Sequence, residues 1–541
     1  MPISFEPVHQ ASLAQTAFAT ANPNGGKKFE KTSPLGALFL SIPIATSMKI
    51  SMISRSLDDH LPSSSSAPHP LQRNLAPHLH PFAKPREYTR ALNAVKIDRM
   101  FAKPFVGALG GHQDGVYCLG KDPRRVSVVA AGGGDGEVIV HSLTLRRPLL
   151  KIPNAHRGMV GGVCWTSDAR DGKRGIISCG KLDGTVKIWK SDAFAPGRRD
   201  DGSDDEEEIL DLAGAVGEND YDEEDDLAMD EKARDARGKN LEPVMSYTTK
   251  TGFNSIDHHY TDSAFATGSN TVQVWDETRT APLSTLQFGS SLESVTAVRF
   301  NKSETSVLAS VGGDRSMCLY DIRTGKAERR LVMQFRSNCL SWCPTLPTVL
   351  LLGSEDHNNY TYDIRNLESP TQIYKGHVGG VMGCDWSPTG EEFVSGSYDR
   401  TIRLWSRDAG KSRDVYHTKR MQRVFDVTFT PTADYVLSAS DDGNVRIWKS
   451  EASRKIGPVS TKERQSMEYR KALVDRWSSV SDIRAVKDRR HVPQSVHNAT
   501  KLKREMIESR NVKEDRRRKH SRAGREKPKA ERKKAVIVEQ K

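Results

Sequence analysis

Cysteine is scarce and unpatterned in this 541-residue chain: Cys118, Cys164, Cys179, Cys318, Cys339, Cys343 and Cys384 are scattered, odd in number, and form no C-x-x-C pair. That set excludes a disulfide framework and a zinc ribbon, and points to buried free thiols in a reducing compartment. Long apolar runs are also missing. The best, "LGALFLSIPIA" at 35–45, is too short to span a bilayer, carries Pro43, and starts too late for a signal peptide. No membrane partner is expected. The glycine-rich "AAGGGDGEV" (130–138) lies between two strand-like runs and opens no helix, so it reads as a hairpin turn and not a dinucleotide loop. His69, His78 and His80, in "PHPLQRNLAPHLHPF", have no cysteine or carboxylate beside them. Neither metal nor cofactor is expected.

Lysine and arginine vanish between Asp200 and Glu231, where 17 carboxylates stand alone. A run that repels itself cannot bury a strand, so a disordered acidic insertion is expected over about 195–240. The whole chain nevertheless carries +12 and a pI near 9.2, with 36% hydrophobic residues and a mean hydropathy of −0.59. A folded middle with polar flanks fits that balance. Residues 454–541 hold 28 Lys or Arg against 12 Asp or Glu, a net of +16, which leaves 12 − 16 = −4 for the rest. The basicity is almost entirely the tail.

A repeat organises the middle. An aromatic-type position recurs as His141, Trp189, Trp275, Tyr320, Tyr362, Trp405 and Trp448, at intervals of 48, 86, 45, 42, 43 and 43 residues. Units of this length, each reading as four short strands, predict an all-β fold: a seven-bladed WD-repeat β-propeller over 105–453. The 86-residue interval is one blade plus the acidic insertion. Ring closure needs a fourth strand for the last blade, expected near Ala102–Gly107.

In "VSGSYDRTIRLW" (394–405), Ser395 and Asp399, with His377 upstream, imitate a hydrolase triad. A catalytic triad occurs once, however, whereas this set recurs in part: His112 with Asp135, His156 with Asp183 and Trp189, and Asp442 with Trp448. The expectation is a buried hydrogen-bond network that includes Trp405 and stiffens each blade. The chain is read as a binding platform and not an enzyme.

The flanks differ from the ring. Residues 1–85 are expected to be mostly disordered, with 86–104 a helical strap on the ring whose Tyr88, Leu92, Val95 and Met100 tend to one side. Nothing before Met48 has a pattern, so translation is expected to begin there. In the tail, a helix capped by Thr461 is expected over 461–477, followed by a solvated helix and a disordered end with too few apolar residues for a core. Its cations, Arg489, Arg490, Lys501, Lys503, Arg504, Arg516, Arg517, Arg518 and Lys519, suit RNA phosphates and ribonucleoprotein surfaces. Aromatic residues are rare after Trp477, which argues against base stacking there.

The blocks "MKISMISRS", "REYTRALNAVKIDRMFAKPFVGALGGHQDGVYCL" and "KERQSMEYRKALVDRW…IRAVKDRRHVP", with the seven repeats between them, resemble the Sof-type WD-repeat proteins over roughly 48–541. These are nucleolar components of the small-subunit processome associated with the U3 small nucleolar ribonucleoprotein. The resemblance implies a nucleolar scaffold for 18S ribosomal RNA maturation, whose partners are pre-ribosomal RNA, that ribonucleoprotein and other processome proteins. The acidic insertion departs from the family's plain repeats.

A second class stays open. "YDIR" occurs twice, as Tyr320, Asp321 and Arg323 around Ile322, and as Tyr362, Asp363 and Arg365 around Ile364. It resembles the box by which some WD-repeat proteins dock on the adaptor of cullin-four ubiquitin ligases, and animal relatives of the family are assigned to that group. The alternative is an Asp–Arg pair that merely closes a turn.

Overall fold

The computed structural model describes residues 81–540, apart from 124, 167–174, 191–240, 288–292, 523–524 and 526. The expected Met48 start, the histidines at 69, 78 and 80, and the acidic insertion lie outside these described residues.

Among the described residues, twenty-eight strands form seven four-stranded antiparallel units, and a further strand extends one of them. The inner strands of successive blades pack side by side around a ring, giving the seven-bladed propeller. Blade six shows why the sequence folds this way. Glu392–Ser397 pairs with Ile402–Ser406 through a tight turn in which Arg400 takes a φ of 62°. Along both strands the side chains are buried on the two faces, because each blade is sandwiched between neighbours. The large aromatics of the repeat position, Trp275, Trp405 and Trp448, are among the most deeply buried groups.

Closure comes from Phe105–Leu109, which lies beside Val445–Lys449 with Leu109 opposite Val445 and Phe105 opposite Trp448. The closing strand starts later than the expected Ala102. The physical reason is Pro104, which has no N–H to give; its carbonyl instead accepts from Lys449 N at 2.8 Å, and regular pairing begins after it.

Helix α1 (Ala83–Met100) packs against two helices of the tail, α2 (Thr461–Arg476) and α3 (Ser481–Lys487). Ala91, Ala94 and Val95 share a small apolar core with Leu473, Val474 and Ile483. Tyr88 stacks edge-on to Trp477 and donates its hydroxyl to Asp482 at 2.8 Å. The strap is therefore held chiefly by the tail helices, because they offer the matching apolar surface. Met100 leaves the expected stripe and is 67% exposed. Helix α2 is capped by Ser460 and not by Thr461: the Ser460 hydroxyl accepts from Glu463 N at 3.3 Å.

Beyond α3, helix α4 (Gln494–His520) runs for 27 residues with one buried side chain, Val496. A short turn, α5 (Glu531–Lys534), leads to Val536–Gln540. This last segment was expected to be disordered. It pairs antiparallel with the outer strand of blade four, Lys326–Met333, with Val538 opposite Val332 and Gln540 opposite Arg330. Ala535 and Val536 pack on a core containing Leu331 and Met333, which compensates the ordering of an otherwise polar end. No helix among the described residues is long and apolar enough to cross a membrane.

Candidate functional site

The triad-like residues meet, but they face inward. His377 donates from Nδ1 to Asp399 at 3.0 Å, and its Nε2 accepts from the Ser395 hydroxyl at 2.7 Å. Trp405 Nε1–H donates to the same Ser395 oxygen at 2.7 Å. Burial holds the His377 imidazole below its ordinary pKa, and a neutral ring satisfies every member of the chain. Burial alone would push the Asp399 carboxyl up, but His377, the Thr401 hydroxyl and Val378 N–H together hold it well below the carboxylate range. Ser395 is 0% exposed, so its oxygen has no path to a substrate.

Blade two repeats the arrangement. His156 lies 2.9 Å from Asp183 and 2.8 Å from the Ser178 hydroxyl, which accepts from Trp189 at 2.9 Å. Blade one does not complete it. Ala131 stands where Ser395 stands and His141 where Trp405 stands, and His112 Nδ1 lies 3.7 Å from Asp135. Burial drives His141 down to a pKa of about 3, with His112 adding to the effect. In blade seven, Trp448 donates to Ser438 at 2.9 Å, while Asp442 binds the buried guanidinium of Arg446. Asp442 and Trp448 are not brought into one network. The histidine available to that blade, His417, instead stacks on His491 of the tail at 5.1 Å.

The two YDIR boxes occupy equivalent turns of neighbouring blades. The Asp321 carboxylate accepts from Arg323 N at 2.9 Å, and Asp363 from Arg365 N at 3.0 Å, so each aspartate caps its own turn. Tyr320 and Tyr362 are buried. Both arginine side chains lie at the surface: Arg323 is 83% exposed and pairs with its own Asp321 at 3.5 Å, and Arg365 is exposed.

The cations of the tail fall into three groups. Some hold the tail to the ring: Arg490, which also donates to Lys487 O within the tail at 2.7 Å, donates to Ser412 O at 3.4 Å, and Lys503 donates to His377 O at 3.3 Å. Others are spent within α4, where Arg504 pairs with Glu508 and Arg518 with Asp515. Arg489, Lys501, Arg516, Arg517 and Lys519 are exposed. Sequence reasoning missed the docking strand, although "AVIVEQ" carries a short β-branched run and its partner in blade four is eight residues long.

Comparison with known proteins agrees with this architecture. The Sof1-like domain family matches residues 450–536, and the WD domain, G-beta repeat family matches 147–190, 368–406 and 412–449. Protein SOF1 of Saccharomyces cerevisiae is 37% identical over 464 residues, 84% of this chain and 88% of its own. Two proteins called DDB1- and CUL4-associated factor 13 are similarly related. That of Danio rerio is 37% identical over 88% of this chain and 96% of its own, and that of Dictyostelium discoideum is 38% identical over 85% and 92%. With a Sof1-like extension wrapped on a WD-repeat ring and identity at this level over most of its length, the chain belongs to the Sof1 family of WD-repeat proteins.

Proposed function

We propose that this protein is a non-catalytic scaffold of ribosome biogenesis, acting in the nucleolus in 18S pre-ribosomal RNA processing as part of the small-subunit processome. The observation that carries this reading is the extension: a net +16 over 454–541, held on the ring by Lys503 and by the terminal strand. Exposed cations on a fixed support suit a polyanion, because each neutralised phosphate releases counterions. Pre-ribosomal RNA and the U3 small nucleolar ribonucleoprotein are the partners that the Sof-type resemblance implies. The test compares full-length protein with a chain ending at Ser450. The full chain is expected to bind RNA with a steep salt dependence, the shortened one with a shallow dependence and loss from early pre-ribosomes. Full retention of the shortened ring on those particles would overturn the assignment to the tail.

A second reading, substrate receptor of a cullin-four ubiquitin ligase, draws on the name of the animal relatives and on the exposed Arg323 and Arg365. Copurification with the ligase adaptor that is lost in the Arg323→Ala, Arg365→Ala double variant would support it. Copurification unchanged in that variant would reduce the two arginines to turn closure.

A further inference from the structure

The outward face of α4 carries more than charge. At about 100° per residue, the inner side of the helix is marked by Val496, which is buried, by Lys503, bound to the ring, and by Glu514, paired with Lys534 at 3.3 Å. Leu502, Met506, Val512, Lys501, Lys513, Arg516 and Lys519 fall within a face roughly 140° wide on the other side. Its three large apolar side chains are open to solvent: Leu502 is 59% exposed, Met506 65% and Val512 47%. None of the four cations has an ion pair among the described residues, while the other charges of the helix are largely spent in pairs such as Arg504–Glu508 and Arg510–Glu514. Glu505 is the one carboxylate within this face.

We propose that this face is a docking site for an acidic amphipathic helix of another protein. Phosphates would use Lys501, Lys513, Arg516 and Lys519 but have no use for Leu502 and Met506, one turn apart. An apolar partner without charge would leave the four cations facing nothing. Only a partner with an apolar stripe bordered by carboxylates satisfies both halves, in the manner of a helix laid along a helix. This goes beyond RNA contact by the tail, since it assigns part of the same helix to a protein.

The test places a photo-crosslinking side chain in the full-length protein in cells (Met506→p-benzoylphenylalanine) and sequences the adducts. The expected adduct is a peptide of another protein, net negative, with apolar residues at i, i+3 and i+4. The paired variant Leu502→Glu, Met506→Glu, without the crosslinker, is expected to copurify at least tenfold less of that same protein than the parent does, with an unchanged melting temperature, since both side chains are exposed. A nucleotide adduct, a basic peptide, a peptide from this chain's own residues 200–231, or no adduct would overturn the proposal. So would undiminished recovery of the partner by the double-glutamate variant. RNA binding and its salt dependence are read in parallel: their persistence in that variant is expected, because all four cations remain.

Discussion

Lys503, a third of the way along α4, donates from Nζ to the backbone carbonyl of His377 at 3.3 Å. The ring of that histidine closes the buried Asp399–Ser395–Trp405 chain inside blade six. The extension thus grips the propeller at a point whose backbone is fixed from within. Burial lowers the Lys503 pKa and Asp356 counteracts this, so the contact is a partly desolvated one.

Lys503→Ala should loosen the helix without harming the ring. A contact of this kind contributes up to about 1 kcal/mol, which corresponds to amide exchange faster by up to about fivefold in residues 494–520. Hydrogen exchange resolved by peptide would show it. Unchanged exchange in α4 would mean that Val496 and the terminal strand hold it alone.

Asp399→Ala removes the acceptor of His377 Nδ1–H, Val378 N–H and the Thr401 hydroxyl. Stranding buried donors costs about 1–3 kcal/mol, so the denaturant midpoint should fall. Asp135→Ala in blade one should cost less, because His112 already lies 3.7 Å away. Equal midpoints for the two variants would show that the network contributes nothing beyond the turn.

These two blades also mark what the sequence makes legible. The repeat length and the Asp-containing turns expose the ring, since each blade must rebuild the same buried strands. Pairing of His377 with Asp399 follows from that spacing. The departure in blade one does not, because it turns on the loss of a hydroxyl at Ala131 and an indole at His141, and only packing shows that nothing replaces them. The seat of α1 on α2 and α3, and of Val536–Gln540 on blade four, joins segments hundreds of residues apart. Each segment has a short apolar stretch, the stripe of α1 and the Val536–Val538 run, but nothing in either says which distant surface it meets.

His141 makes the ring acid-sensitive. Its folded pKa of about 3 lies below the ordinary 6.5, so between those values the unfolded chain binds the extra proton. Stability is complete above pH 6.5 and is lost as pH falls, by about 2 kcal/mol at pH 5 for this one group. His112, His156 and His377 are lowered by burial too and act in the same direction. His141→Phe should therefore reduce the stability difference between pH 7 and pH 5 by about 2 kcal/mol, measured by urea unfolding. A difference equal to that of the parent protein would mean that folding does not lower the His141 pKa from its ordinary value.

The terminal strand should act as a latch for the tail and not as a part of the ring. Blade four already has four strands ending with Lys326–Met333, and Val536–Gln540 adds a fifth at the outer edge. Deleting residues 535–541 uncovers the edge of Leu331 and Met333 but removes none of the four strands that complete blade four, so the melting temperature of the ring should change little. The free end of α4 should respond strongly. Its segment from Lys501 to Lys534 is rich in trypsin sites and is otherwise tied by side-chain contacts such as Lys534–Glu514 and Arg532–Gln372, each of which is weak in water. Limited trypsin digestion of the shortened protein should cleave there at least tenfold faster than in the parent, with the propeller fragment surviving. A drop of more than about 5 °C in melting temperature, which for a domain larger than 150 residues exceeds 1 kcal/mol, would instead make the strand a structural member of blade four. Cleavage at the parent rate would mean that Lys503 and Val496 suffice to hold the helix in place.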